Sequence, residues 1–215
     1  MKIDIAQLRK EYTAHTLDQS DVDSDPLIQF KQWMVEAVDS EVPEPNAMVL
    51  ATVGKDSRPS ARVVLLKDIE GGSFVFYTNY NSEKGQELAA HPYAALNFNW
   101  LELQRQVRIE GKVEKVSEEV STAYFQSRPR GSQIGAWASP QSTIIEDRSI
   151  LEKNVEELKE KYNEHEVLPK PPHWGGYALK PDLIEFWQGR PSRLHDRIRY
   201  RLDEKGEWMI ERLAP

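Results

Sequence analysis

The chain has no cysteine among its 215 residues. Disulfides, thiolate zinc sites, iron–sulfur clusters and cysteine nucleophiles are excluded together. No stretch approaches the ~20 apolar residues that a membrane span needs. The start, Met1 to Gln7, carries Lys2 and Asp4 and lacks the apolar core of a signal peptide. A soluble, cytoplasmic protein with no membrane partner is the expectation. Positive charge is also in short supply: 28 Lys and Arg against 35 Asp and Glu leave a net charge of −7. Proteins that bind duplexes gain affinity by neutralising phosphates, so this balance argues against a nucleic-acid partner. Several site motifs are missing too. There is no G-x-G-x-x-G, no G-x-S-x-G and no H-E-x-x-H, and Gly54-Lys55 lacks the earlier glycine of a P-loop. The five histidines (His15, His91, His165, His173 and His195) show no ligand spacing, so no metal centre is expected.

What remains is an ordinary globular composition, 39% hydrophobic and 29% charged. A chain of this length buries roughly 70% of its unfolded surface, enough for a core without staples. Residues 1–25 read as a flexible N-terminal arm. A short helix fits Ile3 to Tyr12, and the stretch from Thr16 to Asp25 is acidic and has little to bury. Asp25-Pro26 then opens a helix over 26–40. The middle reads as strands at Ala47–Val53, Arg58–Ile69, Ser73–Thr78, Tyr93–Trp100 and Gln104–Val116, with a helix capped by Ser82 between them. Helices follow from Ser117 to Arg128 and from Glu146 to Tyr162. The chain ends in strands near Gly176–Gln188, Ser192–Arg201 and Trp208–Leu213. Consecutive strands joined by tight turns predict an antiparallel sheet or barrel in one α+β domain, residues 26–215.

Four segments carry candidate chemistry. In Arg193-Leu194-His195-Asp196-Arg197, strand alternation places Arg193, His195 and Arg197 on one face. Such a face either holds an anion, phosphate being the natural partner of arginine, or is simply solvated. In Arg62-Val63-Val64-Leu65-Leu66-Lys67, alternation puts Arg62 and Lys67 on opposite faces. One pocket uses both only through a bulge or with a ligand that runs past the sheet edge. The competing reading is a core strand with solvated ends. Tyr124, Arg128 and Ser132 recur at helical spacing, with Pro129 interrupting and Ser132 in a following turn. The fourth segment, Asn81-Ser82-Glu83-Lys84-Gly85, is a helix start with Lys84 beside it. Of the aromatics, Trp33, Trp100 and Tyr162 read as core, and Trp187 as a ligand neighbour.

Together these segments resemble the pyridoxine/pyridoxamine 5′-phosphate oxidase family. The run Ile184-Glu185-Phe186-Trp187-Gln188, four residues, then Arg193-Leu194-His195-Asp196-Arg197 is similar to that family's C-terminal signature. The likeness extends to Arg62–Lys67, Tyr77-Thr78, Gln106, the Tyr124/Arg128/Ser132 trio, Gln141-Ser142 and the ending Arg212-Leu213-Ala214-Pro215.

The resemblance implies an FMN-dependent, homodimeric split β-barrel with the cofactor at the subunit interface. It implies FMN contacts from Arg62, Val63, Val64, Leu65, Leu66, Lys67, Tyr77, Thr78, Lys84, Gln106, Gln141, Ser142, Trp187 and Arg197. Arg62 and Lys84 would take the FMN phosphate. Lys67, Tyr124, Arg128 and Ser132 would grip the substrate, with Arg193 and His195 over the reacting carbon and Arg9 and Tyr12 in a lid. The implied reaction oxidises pyridoxine or pyridoxamine 5′-phosphate to pyridoxal 5′-phosphate by hydride transfer from C4′ to flavin N5. Dioxygen then takes up the electrons and yields hydrogen peroxide. Glu83 departs from the pattern, since many relatives carry arginine there. A carboxylate repels a phosphate at close range, so either Glu83 faces solvent, which is the expectation, or FMN is held more weakly. A flavin reductase-like split barrel would share the fold without needing R-L-H-D-R, and a non-catalytic pyridoxal phosphate carrier would consume no oxygen.

Overall fold

A computed structural model describes Asp4, Gln7, Leu8, residues 11–162 and residues 167–215. Five α-helices and nine strands follow one another along them. The order is α1 (Pro26–Asp39), β1 (Ala47–Val53), β2 (Pro59–Leu65), β3 (Asp68–Glu70), β4 (Ser73–Asn79), α2 (Glu83–Ala90), β5 (Tyr93–Trp100) and β6 (Arg105–Lys115). Then come α3 (Glu118–Ser127), α4 (Arg130–Ala138), α5 (Ser149–Lys161), β7 (Trp174–Gln188), β8 (Asp196–Leu202) and β9 (Trp208–Arg212). The strands hydrogen-bond in the order β2-β1-β5-β6-β7-β4-β3, with β8 beside β7 and β9 beside β8. The architecture is α+β, and the strand pairs of β3 with β4, β4 with β7, β7 with β8 and β8 with β9 are antiparallel.

The chain divides into two compact units. One comprises Met1–Val49, Ala95–Glu110 and Pro181–Pro215; the other comprises Leu50–Ala94 and Gly111–Lys180. In the first unit, α1 begins where Asp25 accepts the backbone N–H of Leu27 at 2.8 Å, with Pro26 at a position that needs no donor. Its buried stripe, Phe30, Trp33 and Ala37, meets Phe98 and Phe186. Phe30–Phe98 and Trp33–Phe186 are edge-to-face at 4.9 and 5.1 Å. The acidic segment before α1 is tied to this unit. Leu17 is buried, its N–H donates to Asp196, and Asp23 O accepts the Tyr200 hydroxyl.

In the second unit, β4 pairs with the first half of β7, placing Tyr77 opposite Gly176 and Asn79 opposite Trp174. A Cβ on Gly176 would lie 2.8 Å from the Tyr77 ring, so only glycine lets that ring lie across β7. Phe125, Ile134, Leu168 and Trp174 form a buried cluster under α3 and α4.

The structure corrects three expectations. The region after Pro129 is a helix, α4, and not a turn, because Pro129 supplies the carbonyl that Ser132 and Gln133 use to start it. The long strand expected at Arg58–Ile69 is two, β2 and β3, with Leu66 and Lys67 between them. The strand expected from Ser192 begins only at Asp196. Pro191–Arg193 is a 3-10 turn in which Ser192 and Arg193 have φ of 55° and 61°. Of the aromatics read as core, Trp33 and Trp100 are buried, whereas Tyr162 is half-buried.

Candidate active site

The second unit holds a cavity of about 640 Å³. Twelve of the residues singled out above line it: Arg62, Val63, Val64, Leu65, Lys67, Tyr77, Thr78, Lys84, Tyr124, Arg128, Ser132 and Gln141. Arg62 and Lys67 share it without a bulge because the chain leaves the strand after Leu65, so alternation no longer governs Lys67. Leu66 is buried in the core, Ser142 is exposed with φ of 68°, and Glu83 at the start of α2 is exposed.

The cavity's cations are held in different ways. Arg62 is fixed from behind. Its guanidinium donates to Thr52 and Ser60 and forms an ion pair with Glu87 at 3.1 Å. A guanidinium can only donate and a carboxylate can only accept, so both hydroxyls must relay. Thr52 donates to Glu87 at 2.5 Å and Ser60 at 2.8 Å. Burial pushes the Glu87 carboxyl up, but the bonds from Thr52, Ser60 and Arg62 outweigh it and hold it below its ordinary range. Lys84 donates to Gln141 Oε1 at 3.1 Å, and that oxygen also accepts from Thr78 at 3.3 Å. Burial, then the neighbouring Arg62, lowers the Lys84 ammonium. Arg128 forms no ion pair among the described residues, and its Nη1 is buried without a hydrogen-bond partner. Its guanidinium lies 4.7 Å above the Trp174 ring. Tyr77 and Tyr124 stack at 3.9 Å, and burial raises both phenols.

A half-desolvated ammonium beside an arginine, together with an orphaned guanidinium donor, is a donor set that lacks its anions. A phosphate monoester supplies both the charge and the acceptors. Thr78 and Gln141 add neutral groups, and the parallel rings of Tyr77 and Tyr124 add an aromatic surface. On this chemistry the residues fit a flavin phosphate and a phosphorylated substrate.

The remaining candidates lie in the first unit. Tyr12, Arg193 and His195 line a cavity of about 450 Å³, together with Arg190 and Ser192. Tyr12, Gln106 and Trp187 line another of about 250 Å³. Tyr12 is wedged between them, 5.9 Å from Trp187 and 5.8 Å from His195 by ring centroid. A Cβ on Gly189 would stand 2.8 Å from the Tyr12 ring, so glycine makes that seat. Arg193, His195 and Arg197 do not share a strand face as alternation required, because only Arg197 is in β8. Arg193 is exposed on its turn. Arg197 is bound to the buried Glu185 at 2.7 Å and to Ala214 O. His195 Nδ1 accepts the Arg190 backbone N–H at 3.1 Å, which leaves the proton of a neutral ring on Nε2. Burial, then Arg193, lowers the His195 ring, so the neutral form is favoured. Arg9 lies outside the described residues, as does half of the short helix expected at Ile3–Tyr12; the described half, Asp4, Gln7, Leu8, Glu11 and Tyr12, contains no α-helix. Sequence reasoning missed Glu87, Trp174 and Arg190. The only signals were a carboxylate one helical turn after Glu83 and a tryptophan that follows the stiff Pro171-Pro172 pair.

A family model described as pyridoxamine 5′-phosphate oxidase matches residues 34–162, well over half of the chain. The chain belongs to the pyridoxine/pyridoxamine 5′-phosphate oxidase family of enzymes. A second model, the pyridoxine 5′-phosphate oxidase C-terminal dimerisation region, matches residues 174–215. A pyridoxine/pyridoxamine 5′-phosphate oxidase of Acaryochloris marina is 57% identical over 98% of this chain and 95% of its own length. One from Cupriavidus necator is 56% identical over 98% and 99%. Among solved structures, PhzG from Burkholderia lata superposes with a TM-score of 0.86 at 32% identity, covering 93% of this chain and 98% of that one. The α+β split-barrel fold that the resemblance implied is therefore the fold of this chain. No helix among the described residues is long and apolar enough to cross a membrane.

Proposed function

We propose that the chain oxidises pyridoxine 5′-phosphate or pyridoxamine 5′-phosphate to pyridoxal 5′-phosphate, working as a homodimer with FMN at the subunit interface. The observation that carries this reading is the cavity of the second unit. Four cationic side chains line it, and one of them, Arg128, has a buried donor with no partner. In this reading Arg62 and Lys84 hold the flavin phosphate, and Thr78, Gln141 and Ser142 hold the rest of the cofactor with Tyr77. Gln106, Trp187 and Arg197 complete the set. When bound, FMN supplies the acceptor for the hydride that leaves C4′ and the route by which dioxygen becomes hydrogen peroxide. Lys67, Arg128 and Ser132 bind the substrate's phosphate ester, and Tyr124 orients its ring. Arg193 supplies charge at the reacting carbon, and neutral His195 offers its Nε2–H as a hydrogen-bond donor. Tyr12 and Arg9 exclude water. With the amine substrate, hydrolysis of the oxidised product releases ammonia.

The match to a dimerisation-region model over residues 174–215 supports the homodimer. PhzG of B. lata was solved with tetrahydrophenazine-1-carboxylic acid, a ring system without a phosphate. The pyridoxine/pyridoxamine 5′-phosphate oxidase of the same species is 56% identical to this chain, against 32% for PhzG, which favours the phosphorylated vitamin. Oxygen uptake by the FMN-loaded protein tests the reading. Equal amounts of hydrogen peroxide and pyridoxal 5′-phosphate should form from pyridoxine 5′-phosphate. Tight binding of pyridoxal 5′-phosphate with no oxygen uptake would mark a carrier instead.

A further inference from the structure

We propose that Trp174 is a positioning residue that presents Arg128 to the phosphate ester of the substrate; this rests on the oxidase reading above. The contrast with the other arginines motivates it. Arg62 is tied to Glu87 at 3.1 Å and Arg197 to Glu185 at 2.7 Å, so each carries its own counter-ion. Arg128 has none among the described residues. It is held by a π face, 4.7 Å above the Trp174 ring, with Phe125 further off at 5.9 Å. A carboxylate would use up guanidinium N–H groups and cancel their charge. An aromatic face attracts the cation but leaves the in-plane donors free for a ligand. The buried, unpartnered Nη1 of Arg128 is such a donor.

Trp174 is built to be immobile. Its side chain is buried, its residue opens β7 opposite Asn79, and its carbonyl accepts the Lys170 ammonium at 2.7 Å. Its ring is nearly parallel to those of Tyr77 and Tyr124, at 12° and 8°. The Arg128 backbone is fixed as well, because its carbonyl accepts from Gln133 Nε2 at 2.9 Å. Without the indole face, only the more distant Phe125 ring, 5.9 Å away, is left to hold the guanidinium among the described residues, and binding must then order it.

The test uses FMN-loaded protein with Trp174→Leu and Trp174→Phe. The affinity of 4-deoxypyridoxine 5′-phosphate, which lacks the oxidisable group, is compared with that of unphosphorylated 4-deoxypyridoxine, alongside steady-state kinetics with pyridoxine 5′-phosphate. Trp174→Leu should weaken the phosphorylated ligand and raise KM about tenfold, with kcat within about twofold and the unphosphorylated ligand unaffected. Trp174→Phe, which keeps a smaller π face, should lose about threefold or less. In an Arg128→Ala background, Trp174→Phe should cost nothing further, a coupling that simple space-filling would not produce. This cycle carries the test if Trp174→Leu does not fold. Equal losses for Phe and Leu, equal losses for both ligands, or additive losses with Arg128→Ala would overturn the role of Trp174. Failure of the unaltered protein to oxidise pyridoxine 5′-phosphate would instead overturn the oxidase reading itself.

Discussion

At the scale of single residues, His195 shows how a hydrogen bond limits chemistry. Its Nδ1 is occupied by the Arg190 N–H, and burial with Arg193 nearby disfavours the imidazolium. A ring held in this tautomer orients a substrate better than it accepts a proton. His195→Ala should therefore lower kcat by about 10²-fold or less, measured with saturating substrate. Loss of all turnover with FMN and substrate binding intact would assign it an essential proton transfer. The depressed pKa also sets a sign. Between it and the ordinary imidazole value the unfolded chain binds more protons than the folded one, so His195 contributes stability that rises with pH through that window. Urea unfolding across that range should show a slope that His195→Ala reduces.

Arg193 and His195, singled out in the sequence, do line one cavity, but the geometry that alternation assigned to them is not the one observed. Alternation assumed a strand, whereas Pro191 opens a tight turn and Ser192 and Arg193 enter the left-handed region. Non-glycine residues adopt that region only where surrounding contacts impose it. Trp174 was not legible because its partner Arg128 is 46 residues away in sequence, and the sequence gives no periodic signal linking them.

At the scale of elements, Glu87 joins three of them. From α2 it receives Thr52 of β1 and Ser60 and Arg62 of β2. Removing one member of a buried pair leaves the other's charge uncompensated, a cost of about 3–5 kcal/mol when both are fully buried. Arg62 is 19% exposed by side chain, so Glu87→Ala should cost rather less, about 2–3 kcal/mol in urea unfolding of the FMN-free protein. Because the folded carboxyl titrates below its ordinary range, this stabilisation is complete above that range. It is lost as pH falls through the depressed value. The gap between the unaltered protein and Glu87→Ala should therefore close in acid, and a gap independent of pH would point to packing alone.

Element boundaries followed local chemistry where that chemistry was strong. The Asp25-Pro26 start, the Ser82 cap and strands β1 and β5 lie where capping and hydrophobic pattern put them. Helix α4 was hidden because Gly131 and Gly135 lower helix propensity and Pro129 reads as a breaker, yet Pro129 serves as the residue before the first turn. Tertiary packing of Ile134 into the Phe125 cluster outweighs that weak local preference.

At the scale of the whole molecule, an acidic chain concentrates cations around a cavity in one unit and places Arg193 and His195 at a second cavity in the other. Net charge concealed this distribution, and only segment-by-segment reading revealed it. The assignment to a flavin-dependent oxidase depends on whether these groups serve one reaction. The most direct measurement is the visible spectrum of FMN-loaded protein, kept free of oxygen, as pyridoxamine 5′-phosphate is added. The yellow flavin band should bleach in proportion to substrate, recover when air is admitted, and stay unchanged with unphosphorylated pyridoxamine. A band that persists through excess phosphorylated substrate would contradict the account.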